Sequence, residues 1–210
     1  MAFWITHLRI AEQIQNMGLQ TEELPFYVGS LAPDSGIELA PFQYDPPKAV
    51  THWHKNLPVR LDSNLCFYDR YLKDEKDPAK RAFYLGYFAH ILTDTMFFEE
   101  VVNPILVSKN TDSISVKGDW LNADFLFMAS HPDFYPYRAI CGIEKCENVY
   151  LDYLPGNSLE AQIHRVRDTF AFPTPDLDRP MQYLNMSRMD QFVKDCSEKI
   201  MQIFEEKDLL

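Results

Sequence analysis

The chain has 210 residues, 46% of them hydrophobic, and 31 acidic against 20 basic side chains give it a formal net charge of −11. That length suits one domain with a sizeable core, and the acidity argues against broad electrostatic capture of nucleic acid, which needs a clustered basic face. No segment reaches the ~20 apolar residues of a membrane span, the amino-terminal stretch lacks the basic start and apolar core of a secretory signal, and four cysteines make no disulfide framework at this size. The expectation is a cytoplasmic protein with reduced thiols, Cys141 and Cys146 included.

In chain order, Ile5, Leu8, Ile10, Ala11, Ile14 and Met17 recur with helical spacing and Gly18 stops the pattern, so residues 3 to 17 predict a helix that carries His7. Between 25 and 58 stand Pro25, Pro33, Pro41, Pro46, Pro47 and Pro58, which places Asp34 and His52 on loops or short helix ends. A helix is predicted at about 60 to 74. Asp77-Pro78 reads as an N-cap followed by proline in the first turn, and the pattern then runs unbroken to Val102. Phe83, Leu85, Phe88, Ile91, Leu92, Met96 and Phe97 cover most of that helix's circumference, so it is the long buried central helix. Gly86, one turn before His90, admits the close approach of another backbone or of a ligand. Further helices are predicted at about 117 to 129, 158 to 170 and 181 to 206, the last amphipathic, with no run of alternating strands. Residues 132 to 157, with Pro132, Pro136, Pro155 and several tyrosines, read as irregular, their rings serving core packing or cradling an apolar or choline-like group. The sum is an all-α, single-domain helical bundle over residues 1–210.

His90 and Asp94 lie four residues apart in an otherwise apolar segment, on one face of the central helix. Burying such a pair is costly unless it is hydrogen-bonded or holds a metal. With His7, Asp34 and His52 upstream, it makes a set of three imidazoles and two carboxylates, donors suited to zinc or a similar divalent ion. Three nearby groups are read as lying outside the set: His54 as exposed, His131 as a loop or helix-end residue, and Asp124 as a surface residue rather than a further oxygen ligand.

The ordered set His7, Gly29 to Ser35, Thr51-His52-Trp53 and Tyr84 to Asp94 resembles the zinc-dependent phospholipase C family over roughly the first half of the chain. That family is all-helical and shares its superfamily with zinc-dependent single-strand nucleases. The resemblance implies one metal held by Asp34, His52, His90 and Asp94, and a neighbour held by His7 with Asp94 as the bridge. The family's remaining metal would fall near Glu99, Glu100, His164 and Asp168, where this chain departs from the pattern by offering carboxylates in place of a histidine and of a glutamate. The implied activity is hydrolysis of a phosphate ester at a di- or trinuclear zinc-type site, most plausibly a small-molecule or lipid phosphodiester, with Asp34 as a ligand or as the catalytic base. The rival is a helical metal-binding or ligand-binding protein of the same fold whose catalytic site has decayed.

Overall fold

The computed structural model describes residues 2–40, 43–54, 60–171 and 180–210. Its helices are α1 (Trp4–Asn16), α2 (Glu23–Gly29), α3 (Lys48–Thr51), α4 (Arg60–Phe67), α5 (Pro78–Phe97), α6 (Asn103–Lys109), α7 (Ser113–Ser130), α8 (Tyr135–Cys141), α9 (Ser158–Phe170) and α10 (Met186–Glu206). A short 3-10 turn spans Ala32–Asp34, and π-helical turns follow α4 and α5 at Tyr68–Leu72 and Phe98–Val102. The fold is all-α, with one small antiparallel pair, β1 (Ile37–Ala40) and β2 (Gln43–Asp45), where no strands were expected. Among the described residues no helix is long and apolar enough to cross a membrane, and all four cysteines are free.

The central helix is α5. Asp77 caps it by accepting the Lys80 N–H at 2.8 Å, Pro78 opens it, and Phe83, Tyr87, Phe88, Leu92 and Phe97 are fully buried around it. The α-helical winding ends at Phe97, and the turn that carries Glu99 and Glu100 is π-wound, so the expected continuous helix to Val102 changes pitch there. The irregular excursion expected over 132 to 157 contains α8, because Pro136 stands in its first turn, where the missing N–H would have no helical partner anyway. Pro33 and Pro104 open helical turns in the same way. The final helix starts later than expected, at Met186, because Asn185 caps it through the Arg188 N–H at 2.8 Å. Pro41 and Pro58 lie outside the described residues.

Gly29 and Gly86 make the tightest contact in the fold. A Cβ on Gly86 would fall on the carbonyl oxygen of Phe26, and one on Gly29 on that of Phe83, so α2 and α5 pack backbone to backbone. The close approach that Gly86 permits is therefore to a helix, and it brings Ser30, just past α2, against His90.

Asp124 corrects an expectation. It is fully buried, not at the surface, and caps α1 from across the molecule, accepting from the N–H groups of Ile5 (2.7 Å) and Thr6 (3.1 Å) and from the Thr6 hydroxyl (2.6 Å). Burial pushes its carboxyl up to about 6, against the pull of those donors. Asp124→Ala is expected to cost about 2–4 kcal/mol by leaving buried N–H groups unpaired, read as a lowered urea midpoint. Gly86→Ala is expected to cost at least as much, on the order of 4 kcal/mol, because backbone and not a flexible side chain must move to admit the methyl group.

Candidate metal centre

Four elements deliver five buried polar side chains to one place: His7 from α1, Asp34 from the 3-10 turn, His52 from the end of α3, and His90 and Asp94 from α5. The ring Nε2 atoms converge on the two carboxylates. His52 Nε2 lies 3.3 Å from Asp94 Oδ2 and 3.5 Å from Asp34 Oδ1, His90 Nε2 lies 3.6 Å from Asp94 Oδ2, and His7 Nε2 lies 3.5 Å from Asp94 Oδ1. His7, His90 and Asp94 form one group able to hold an ion, and Asp34, His52 and His90 form another, with ligand atoms within 4.8 Å of each other.

The outer ring nitrogens decide what the inner ones are. His90 Nδ1 is 2.8 Å from the Ser30 carbonyl, and His52 Nδ1 is 3.1 Å from the Lys48 carbonyl and 3.0 Å from the Thr51 hydroxyl. A carbonyl only accepts, so Nδ1 carries the hydrogen in both rings, and in the neutral imidazole Nε2 presents a bare lone pair. These lone pairs face a carboxylate. Acceptor faces acceptor, and accordingly His7 Nδ1 and Nε2, His52 Nε2, His90 Nε2 and Asp94 Oδ2 are buried without a hydrogen-bond partner.

A cation resolves this arrangement. Two ligands each ~2.1 Å from a tetrahedral zinc ion stand ~3.4 Å apart, and the pairs here stand 3.3 to 3.6 Å apart. The donor set, three imidazole nitrogens and two carboxylates, fits zinc or a similar divalent ion. Metal ligands of this type ordinarily have their outer nitrogens held as His52 and His90 do.

Electrostatics agree. Burial, followed by the neighbouring His90, lowers His7 to about 4, which leaves it neutral and able to ligate near pH 7. Burial acts upward on Asp34, but the opposing charges, the Lys48 ammonium foremost, hold the carboxyl below its ordinary value. Asp94 is likewise held well below its ordinary value, burial being opposed first by the positive charge of the amino terminus, and its Oδ1 accepts the Ala2 N–H at 2.8 Å.

Asp34 connects the buried cluster to solvent. Its Oδ1 accepts from Lys48 Nζ at 2.8 Å and its Oδ2 from Trp4 Nε1 at 3.0 Å. It lines a cleft of about 580 Å³ together with Trp4, Tyr44, Lys48, Trp120 and Arg165. Sequence reasoning missed Trp4 and Lys48, although the spacing was available: Trp4 precedes His7 by three residues on α1, and Lys48 precedes His52 by four on α3. A larger groove, about 830 Å³, is lined by Arg9, Phe127 and His131 but by none of the five, and its Arg9 is already paired with Asp190 and stacked on Phe127.

Glu99, Glu100, His164 and Asp168 are not brought into either group among the described residues. Glu99 is exposed, Glu100 pairs with Lys199 at 2.7 Å, Asp168 is exposed beside Arg167, and His164 is half-buried on α9. The π turn after Phe97 carries the two glutamates outward. His54 is exposed as expected, and His131 stands at the end of α7. The tyrosines of 134 to 153 include core rings, Tyr150 stacking on Phe83 at 4.0 Å and the Tyr153 hydroxyl bonding that of Tyr87.

A helical protein with a buried His/Asp centre fit for a divalent ion is the class that fold and site define. Residues 6–97 match the model of the zinc dependent phospholipase C family, and this stretch contains all five clustered residues. No curated protein and no solved structure matches the chain.

A neutral, buried His7 makes the metal-free protein acid-sensitive. Its folded value lies below the unfolded one, so the unfolded chain binds the proton first, and stability present above the unfolded value is lost as pH falls towards about 4. Between about pH 7 and about pH 4, chelator-treated protein is expected to lose roughly 3 kcal/mol more than a His7→Gln variant does, measured by urea unfolding across the range.

Proposed function

We propose that this chain is a metal-dependent hydrolase of phosphate esters, a single domain over residues 1–210 whose substrate class is a phosphodiester, either a lipid or a small soluble one. The observation that carries the reading is the set of imidazole lone pairs aimed at Asp94 beneath a solvent cleft, in a chain that matches a zinc-dependent phospholipase family. Asp34, His52, His90 and Asp94 would hold one ion. His7 would hold a neighbour, with Asp94 bridging. The rings of His7 and His90 stack at 3.6 Å with planes 7° apart, side by side as two residues that would serve neighbouring positions.

Divalent ions bound there supply Lewis-acid polarisation of the phosphoryl oxygens and a lowered pKa for water. The chain supplies the rest. Asp34, kept ionised by Lys48 and reaching the cleft, orients the attacking water and receives its proton. The water oxygen bonds to phosphorus as the P–O ester bond breaks, its electron pair leaving with the alkoxide, which takes a proton from solvent. A phosphomonoester and an alcohol result.

A second reading, a helical metal-binding protein without turnover, draws on Glu99, Glu100 and Asp168, which are exposed and lie outside both metal-holding groups among the described residues. Elemental analysis of protein purified without added metal, followed by a panel of phosphodiesters and phosphomonoesters, separates the two. The hydrolase reading expects zinc or a similar ion together with diester hydrolysis. His90→Ala is expected to abolish activity with loss of most bound metal, and Asp94→Asn to lower metal content more than Glu100→Gln or His164→Ala. Metal retained with no diester hydrolysed would leave the binding protein as the better account.

A further inference from the structure

We propose that Lys48 is a catalytic residue of this site, an ammonium group that contacts the phosphoryl oxygens of the bound ester; its part in turnover rests on the hydrolase reading, its anion contact does not. Lys48 opens α3, the four-residue helix that His52 terminates, and its carbonyl fixes the His52 ring. Its Nζ stands 2.8 Å from Asp34 Oδ1 and 5.2 Å from the centre of the Tyr44 ring, with the side chain 32% exposed in the wall of the cleft.

A fixed cation is an odd neighbour for a metal centre. The carboxylate it touches belongs to the ligand set, and a positive charge one residue from a divalent ion lowers affinity for that ion by direct repulsion. A site that only stored metal would be better without Lys48. An oxyanion seated between the ammonium and the metal position reverses the balance, since each cation then attracts the same group. Lys117 and Arg165 line the same cleft, so its walls carry three cationic side chains against the carboxylates of Asp34 and Glu38, a local excess of positive charge in a chain whose net charge is −11. Trp4 Nε1 holds the other oxygen of Asp34, so the carboxylate keeps one anchor when Lys48 shares its ammonium with a ligand.

The role follows from the charge that develops. As water bonds to phosphorus and the ester P–O bond breaks with its electron pair on the leaving alkoxide, negative charge grows on the non-bridging oxygens. Lys48 meets it as a fixed charge and keeps all its protons; the water's proton passes to Asp34, and the alkoxide's comes from solvent.

The test uses the full chain with Lys48→Met and Lys48→Arg, reading zinc per chain, inorganic phosphate binding by calorimetry and hydrolysis of bis(p-nitrophenyl) phosphate. Lys48→Met is expected to keep or raise zinc content, to bind phosphate about 10-fold more weakly and to lower kcat about 100-fold, with Lys48→Arg recovering most of both losses. Zinc lost in step with activity would overturn the proposal, because Lys48 would then act only by holding Asp34. Phosphate bound by Lys48→Met as tightly as by the unsubstituted chain overturns it too. If the unsubstituted chain hydrolyses no diester, the hydrolase reading and the catalytic role fall together, while the phosphate measurement still decides the contact.

Discussion

Asp94 Oδ2 is the atom on which the rest of the structure depends. It is buried, it receives no hydrogen bond, and the nearest polar atoms are the Nε2 lone pairs of His52 and His90 at 3.3 and 3.6 Å. Left alone, such a contact costs free energy, since an uncompensated buried polar group is worth roughly 1–3 kcal/mol and a charged one more. A helix could escape by rotating the side chain to solvent. Here α5 is apolar around nearly its whole girth and enclosed by α1, α2, α4 and α10, so no rotation of the helix reaches water. The core thus holds in place a cluster that a divalent cation would satisfy.

The layer behind the cluster sets its protonation. The glycine contact between α2 and α5 brings the Ser30 carbonyl onto His90 Nδ1, and the single turn of α3 brings the Lys48 carbonyl onto His52 Nδ1. Behind His52, Trp53 adopts a left-handed backbone conformation at φ 54°, strained for a bulky residue. That strain is met by an aromatic assembly: Trp53 Nε1 donates to the Tyr153 hydroxyl at 3.2 Å, Tyr153 donates to Tyr87, and Tyr87 donates to the Thr51 carbonyl. Tyr153, one of the tyrosines that could have cradled a ligand, is occupied in fixing the turn that aims an imidazole.

What the sequence made legible was local. His90 and Asp94 share a face because a helix repeats every 3.6 residues, and the breaker prolines put Asp34 and His52 on short elements beside it. The order of these short motifs, compared with a known family, linked them to His7. What stayed hidden depends on contacts between residues distant in the chain. Nothing near Asp124 announces that it will cap a helix 118 residues away. Glu99 and Glu100 lie outside both groups for a different reason: the winding changes after Phe97, so spacing counted along a regular α-helix no longer fixes direction.

The start of α1 shows why the site cannot assemble piecemeal. Its N-cap, Phe3, supplies no side-chain acceptor, so the first-turn N–H groups have no local partner. Two long-range carboxylates hold this end: Asp124 of α7 accepts from the first-turn N–H groups of Ile5 and Thr6, and Asp94 of α5 accepts from Ala2, just ahead of the N-cap. One of them is also the proposed bridging ligand. The helix that carries His7 is therefore anchored by the residue His7 must face, and by a second residue that must be buried to reach it. The metal position exists only once α1, α5 and α7 are packed, and metal bound there draws on the stability of all three helices and not of one loop. Binding free energy at such a site is folding free energy, and the acceptor-rich cluster that weakens the empty fold is the feature that makes the occupied one cooperative.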